Sequence, residues 1–90
     1  MAHAVVLHVK LPDGGGSDEG RRMLEEAVVP HAKSQPGFER GVWMNNGGDG
    51  IGVVIFDSED NAKAALSQLQ PPPGGPTVVS SDVYEVGAQA

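Results

Sequence analysis

The chain has no cysteine. That excludes disulfides, cysteine-based zinc sites, iron–sulfur clusters and a thiol nucleophile. It agrees with a reducing compartment, and a cytoplasmic protein is the expectation. Positive charge is scarce as well. Six basic residues (Lys10, Arg21, Arg22, Lys33, Arg40, Lys63) stand against twelve acidic ones, for a net charge of −6. The basic residues are scattered, and affinity for nucleic acid is mostly phosphate neutralisation, so nucleic acid is not an expected partner. No run approaches the roughly 20 apolar residues of a membrane-spanning helix, so a membrane is not expected either. The opening MAHAVVLHVKLP lacks a basic n-region and a clear cleavage site, and it is needed as a strand. A signal peptide is therefore not expected. Aromatics are few: one Trp, one Tyr and two Phe.

What is present fits a single domain over residues 1–90, with a modest core, because a short chain buries a smaller fraction of its surface. Residues 4–11, AVVLHVKL, predict a first strand. Val5, Leu7, Val9 and Leu11 share one face; Val6, His8 and Lys10 share the other. Pro12 ends the strand, and Asp13-Gly14-Gly15-Gly16 reads as a flexible loop. Ser17 is a suitable N-cap, with Asp18 and Glu19 where the helix dipole favours carboxylates. The helix runs to about Ser34, with Met23, Leu24, Ala27, Val28 and His31 as one apolar stripe. Pro30 has no N–H for the Glu26 carbonyl, so a bend or an early end is expected there. A second strand over 38–45, a turn at Asn46-Gly47-Gly48-Asp49 and a third strand over 50–56 form a hairpin. Asp57 or Ser58 caps a second helix over 58–70, which buries Ala62, Ala65, Leu66 and Leu69. The run Pro71-Pro72-Pro73-Gly74-Gly75-Pro76 reads as a loop, and a strand over 78–86 closes the chain. The order is β-α-β-β-α-β.

The hairpin carries apolar residues on both faces of the sheet. A turn centred on Gly47-Gly48 sets Trp43 opposite Gly52, Gly41 opposite Val54 and Glu39 opposite Phe56. Trp43, Val54 and Phe56 then share one face, and Val42, Met44, Ile51, Val53 and Ile55 the other. Two helices can cover one face only. The second face calls for a partner, most simply a second copy of the chain meeting it through Val42, Met44, Ile51, Val53 and Ile55.

The chemistry-bearing residues are sparse. Trp43 beside two glycines marks a candidate pocket between helices and sheet, with His8, Asn45 and Tyr84 as its candidate polar groups. His8 reads as a candidate general base, the role imidazole side chains commonly take, or as an ordinary partly buried strand residue. His31 packs or caps, and His3 sits near a terminus. The three histidines lack metal-ligand spacing, so no metal and no cofactor are expected. Asp57, Glu59 and Asp60 read as helix-capping carboxylates, and the glycine runs as turns, since neither has the strand-to-helix context of a phosphate loop.

Two families share this element order. The run Asp49-Gly50-Ile51-Gly52-Val53-Val54-Ile55-Phe56 resembles the third strand of an RNA-recognition motif. In it, however, Asp49 stands at the basic position, and Ile51 and Val53 stand at the base-stacking aromatics. This match speaks for sheet geometry, with Ile51 and Val53 on the helix-free face. Nearly the whole chain resembles the dimeric α+β barrel superfamily, which includes antibiotic-biosynthesis monooxygenases and haem-degrading oxygenases. The cues are Val28-Val29-Pro30, Pro36-Gly37-Phe38, Arg40-Gly41-x-Trp43, Phe56-Asp57-Ser58-Glu59-Asp60-Asn61-Ala62 and Val83-Tyr84-Glu85-Val86. The resemblance implies a ferredoxin-like antiparallel sheet with two helices on one face, pairing with a second copy into a barrel. Haem-degrading members use an Asn on the first strand, a Trp ending the third and a His on the second helix. This chain has no Asn in the first, Phe56 in the second place and no His in the third. The cofactor-free monooxygenases use pocket Asn, Trp, Tyr and Arg, and this chain offers Asn45, Trp43, Tyr84 and Arg40 without a positional match. The implied function is a homodimeric module binding a small aromatic or lipophilic molecule. The alternative is a cofactor-independent monooxygenase of the antibiotic-biosynthesis type, with RNA binding a more distant third. No catalytic residue is assigned, and whether the protein is an enzyme stays open.

Overall fold

Alternation in four segments builds one antiparallel sheet, described here from a computed structural model covering residues 1–12, 17–71 and 75–90. The strands are β1 (His3–Lys10), β2 (Phe38–Asn46), β3 (Asp49–Phe56) and β4 (Thr77–Glu85). Their spatial order is β2-β3-β1-β4, so β1 and β3 are interior and β2 and β4 form the edges. The first helix has three parts: α1 (Asp18–Met23), a π-helical segment (Leu24–Val28) and α2 (Val29–Lys33). A further helix, α3 (Glu59–Gln68), precedes β4. This is the ferredoxin-like α+β arrangement that the element order predicts. The loop at Asp13–Gly16 and the stretch Pro72–Gly74 lie outside the described residues.

Local chemistry accounts for the element ends. Ser17 Oγ accepts from the Gly20 N–H at 3.0 Å, and Ser58 Oγ accepts from the Asn61 N–H at 3.2 Å. Each satisfies a backbone donor that the first helical turn leaves free. Of the two candidate caps for α3, Ser58 does the capping. Asp57 instead accepts from the Asn61 side chain at 2.8 Å. At Pro30 the helix does not stop. The turn ahead of it widens, and the Val29 N–H reaches back to the Leu24 carbonyl, a π-type bond. Pro30 thereby enters α2 in its first turn, where a missing N–H matters least.

The register follows the hairpin spacing from Asn46 to Gly41, with Trp43 opposite Gly52 and Gly41 opposite Val54. It departs at Glu39. Phe38, not Glu39, faces Phe56, because a bulge falls between Phe38 and Arg40. Without the extra residue Glu39 would point into the core and Phe38 away from it. With it, the Phe38 and Phe56 rings meet edge to face, centroids 6.4 Å apart, a favoured aromatic geometry. A second irregularity at β4 leaves Val79 unpaired between Val78, opposite Val9, and Ser80, opposite His8.

The core lies between sheet and helices. Val5, Leu7, Val54 and Phe56 supply the strand side, and Ala32, Ala62 and Ala65 the helix side. The small helix residues let α2 and α3 approach closely. The first helix is otherwise unlike a packed stripe: Met23 is 56% exposed, and only Ala32 of this helix is buried. No helix among the described residues is long and apolar enough to cross a membrane.

Gly37 ties the two layers together. Its φ is +79°, and its carbonyl accepts from the Asp57 N–H at 2.9 Å. A Cβ there would collide with the Asn61 and Asp57 side chains. Gly37→Ala is expected to cost about 1–3 kcal/mol, from strain and from loss of the Asp57–Asn61 contact. Urea denaturation measures it; an unchanged midpoint would show that this junction carries no such constraint.

Candidate functional site

The exposed first helix stands off the sheet and leaves a cleft of about 1160 Å³. Its floor is the helix-facing side of the sheet at Leu7, Val9, Trp43 and Gly52, and its roof includes Met23, Leu24, Ala27 and Val28. Leu69, beyond the end of α3, closes one side. The cleft is mostly apolar with a few polar groups, among them Asn45, Arg21, His31 and Gln70. A concave apolar site with few polar groups is the usual form of a small-molecule pocket.

Trp43 lies flat on the sheet because two glycines let it. A Cβ on Gly41 would sit 2.8 Å from the indole Cη2, and a Cβ on Gly52 would sit 3.0 Å from Cδ1 and 3.1 Å from Nε1. Any side chain at either position would lift the ring into the cleft. The indole is therefore both part of the packed layer and the aromatic floor of the site.

The four candidate pocket residues divide between two faces of the sheet. Asn45 alternates with Trp43 on β2 and borders the same cleft, its amide reaching the Gly47 carbonyl at 3.3 Å. His8 and Tyr84 lie on the helix-free face. Tyr84 pairs with Ala4 on that face and is 55% exposed. His8 Nε2 lies 3.3 Å from Asp49 Oδ1, and Lys10 Nζ reaches the same oxygen at 2.5 Å. These three side chains, with Met44, Asn45, Asn46 and Ile51, line a shallower hollow of about 580 Å³. The Lys10 hydrogen bond, then that of His8, holds the Asp49 carboxyl below the usual range. A carboxyl lowered by folding contributes stability above the ordinary carboxylate range and loses it as pH falls through the lowered value.

His31 was read from the sequence as a packing or capping residue, and it also borders the cleft. Its Nε2 lies 2.8 Å from the Gln68 carbonyl. A carbonyl can only accept, so Nε2 carries the proton, and the bond ties α2 to the end of α3. The helix residues of the cleft roof, Met23 and Ala27, were not legible as such. Their spacing is that of a packed stripe, and the widened turn ahead of Pro30 has no pattern of its own. Among the described residues no group of His, Asp and Glu could hold a metal ion.

No protein-family model matches the sequence, and no curated protein matches it. Solved structures do resemble it. SnoaB, a cofactor-independent oxygenase from Streptomyces nogalater, matches at 13% identity over 98% of this chain and 95% of its own, with a TM-score of 0.68. A Chloroflexus aurantiacus protein provisionally named an antibiotic biosynthesis monooxygenase matches at 12% identity, over 100% of this chain and 98% of its own, TM-score 0.56. The haem-degrader MhuD of Mycobacterium tuberculosis, solved with two haems in its active site, matches at 15% identity over 100% and 99%, TM-score 0.59. This chain has their fold. It is a four-stranded antiparallel sheet with its helices on one face, the ferredoxin-like α+β fold that the residue pattern implied. Within that fold, Phe56 at the end of β3 is fully buried in the core, and α3, EDNAKAALSQ, has no histidine.

Gly41→Ala tests the Trp43 floor. The added methyl is expected to raise the indole into the cleft, destabilise the protein by about 1–3 kcal/mol and red-shift Trp43 emission. Unchanged emission and stability would show that the ring does not depend on the glycines.

Proposed function

We propose that the protein is a homodimeric module that binds a small aromatic or lipophilic molecule in the cleft beneath the first helix. The observation that carries this reading is the cleft itself, about 1160 Å³ and lined mostly by apolar residues, floored by a flat indole. The core proper is filled with alanine, valine, leucine and phenylalanine, and interiors packed in that way leave few voids. Trp43 offers a stacking surface, and Asn45 and His31 offer hydrogen bonds at its border.

The homodimer is supported by the helix-free face. Val42 is 50% and Met44 51% exposed, and Ile51 and Tyr84 are also large and exposed. Val53 and Ile55 lie between them on β3, half-buried. A continuous apolar face of this kind is a liability in a monomer, and a second copy offers the same patch in return. The shared fold of the superfamily supports the same arrangement.

The second reading is a cofactor-independent monooxygenase, favoured by the likeness to SnoaB over nearly the whole chain. In such a reaction an anthrone methylene becomes a carbonyl, with one atom of O₂ retained and the other released as water. Trp43 and Asn45 would hold the ring system in the cleft.

Titration with anthrones and hydroquinones is expected to quench or shift Trp43 fluorescence at micromolar concentration. A silent Trp43 across the panel would sink the binding reading. Substrate-dependent oxygen uptake, lost in a Trp43→Ala variant that still dimerises, would establish the monooxygenase. For the dimer, light scattering is expected to give twice the chain mass at micromolar concentration, and Val53→Glu is expected to abolish it. A wild-type monomer under those conditions would refute the pairing.

A further inference from the structure

The roof of the cleft and the rest of the helix it belongs to are held with unequal firmness. We infer that α1 and the π segment form a lid, which seats on the occupant of the cleft by bending at the turn ahead of Pro30 while α2 stays fixed. The inference rests on the proposed reading of the cleft as a ligand site and says how that site closes. It does not depend on the pairing of two chains.

Backbone hydrogen bonds set the hinge. In a regular α-helix the Val29 N–H would donate to the Glu25 carbonyl, and the N–H of residue 30 to the Glu26 carbonyl. Here the Val29 N–H donates to Leu24 instead, and Pro30 has no N–H to give. Two successive carbonyls in one turn therefore lack their α-helical donors. Glu25 and Glu26 are exposed, so water can take the place of those donors whether the turn is straight or bent. Sharp bends in helices concentrate at prolines and π turns for this reason.

Beyond the hinge the helix is anchored. Ala32 is fully buried in the core, the His31 ring is bonded to the Gln68 carbonyl at 2.8 Å, and α2 lies against β2. The Gln35 N–H donates to Ala32 at 3.1 Å and the Phe38 N–H to Gln35 at 3.2 Å, which carries the chain directly into β2. Swinging the whole helix would break these contacts. Ahead of the hinge the situation is reversed. Neither α1 nor the π segment has a buried residue. Neither supplies a side chain to the core or to the half-buried side chains packed around it. Ser17 caps α1 locally, at 3.0 Å from the Gly20 N–H, so the cap travels with the helix.

The driving surface is the roof. Met23, 56% exposed, and Leu24, Ala27 and Val28 stand across the cleft from Leu7, Val9 and Trp43. Held apart, the two apolar surfaces do not bury one another. An apolar occupant touches both, and lowering α1 onto it removes the stripe from water. The occupant thus makes more contact with the lowered lid than with the raised one, which is the differential affinity that a ligand-driven shift requires. Lids of this kind are drawn from the least firmly held parts of a fold.

The test is hydrogen exchange read peptide by peptide in the full chain, with and without anthrone, beside Trp43 fluorescence of the same samples. Without anthrone, the amides of α1 and the π segment are expected to exchange faster than those of α3. With it they are expected to slow by about fivefold or more, the lower end of ordinary coupling between sites, while α3 is unchanged. Displacement is read separately. Arg22 and Ala64 are exposed, and Arg22 lies outside the lining of the cleft. Arg22→Cys with Ala64→Cys gives a chain without native cysteine two thiols for spin labels. Diluted into unlabelled chain, the distance between the labels is expected to shift when anthrone binds. Pro30→Ala returns a donor to Glu26 and lets the turn close as regular α-helix. It is expected to abolish both responses while anthrone still quenches Trp43. Quenching with no change in α1 exchange or label distance overturns the lid and leaves the cleft as a ligand site. Undiminished responses in Pro30→Ala, or α1 amides as slow as those of α3 without anthrone, also overturn it. A silent Trp43 overturns the ligand reading of the cleft and this inference with it.

Discussion

A four-stranded sheet that is apolar on both sides, with helices enough for one, is the constraint from which the remaining features follow. On the helix side, burial of Val5, Leu7, Val54 and Phe56 against three alanines fixes how closely α2 and α3 sit. On the other side, nothing in the described chain covers Val42, Met44 and Ile51. Hydrophobic burial scales with area removed from water, so the second face holds a store of free energy that folding of one chain does not release. In the proposed homodimer, association releases it.

The cleft arises from an imbalance within the covered side. The α2 end of the first helix is pinned by Ala32 in the core and by the His31 bond to Gln68. The part before it is not. A widened turn at Leu24–Val28 separates the two, so α1 and the π segment can stand away from the sheet while α2 stays seated. The indole of Trp43 then remains uncovered on its upper surface, where a tightly packed helix would have buried it. Two glycines and one proline, none of them reactive, shape the site more than any titratable group does.

Much of the fold was legible because strand period and turn chemistry speak with one voice. Trp43 opposite Gly52 follows from the position of Gly47-Gly48, and the division of Ile51, Val53 and Ile55 from Val54 and Phe56 follows from alternation. Reading failed where a local irregularity serves tertiary packing. Alternation extended to Glu39 puts a carboxylate in the core, and only the encounter of two phenyl rings explains why the strand bulges one residue earlier. The candidate cleft was legible in part. Trp43 with its glycines could be found from spacing, and Asn45 follows by alternation on β2. His8 and Tyr84 share the types of a polar pocket but not its side of the sheet, which strand parity decides and residue type does not. The roof at Met23 and Ala27 carries no signal distinct from an ordinary packed stripe.

The two bulges fall one on each edge of the sheet, at Glu39 in β2 and at Val79 in β4. A regular edge strand is a template onto which another strand can add, and then another. A bulge interrupts the row of free backbone groups and twists it out of line, and Glu39 and Arg40 add charge beside one of them. Lateral growth is thus discouraged on both margins while one broad face stays adhesive. In the proposed homodimer each chain meets its twin only once. Stickiness directed through a face closes on itself in a pair, whereas the same stickiness directed through an edge would continue without end into a fibre.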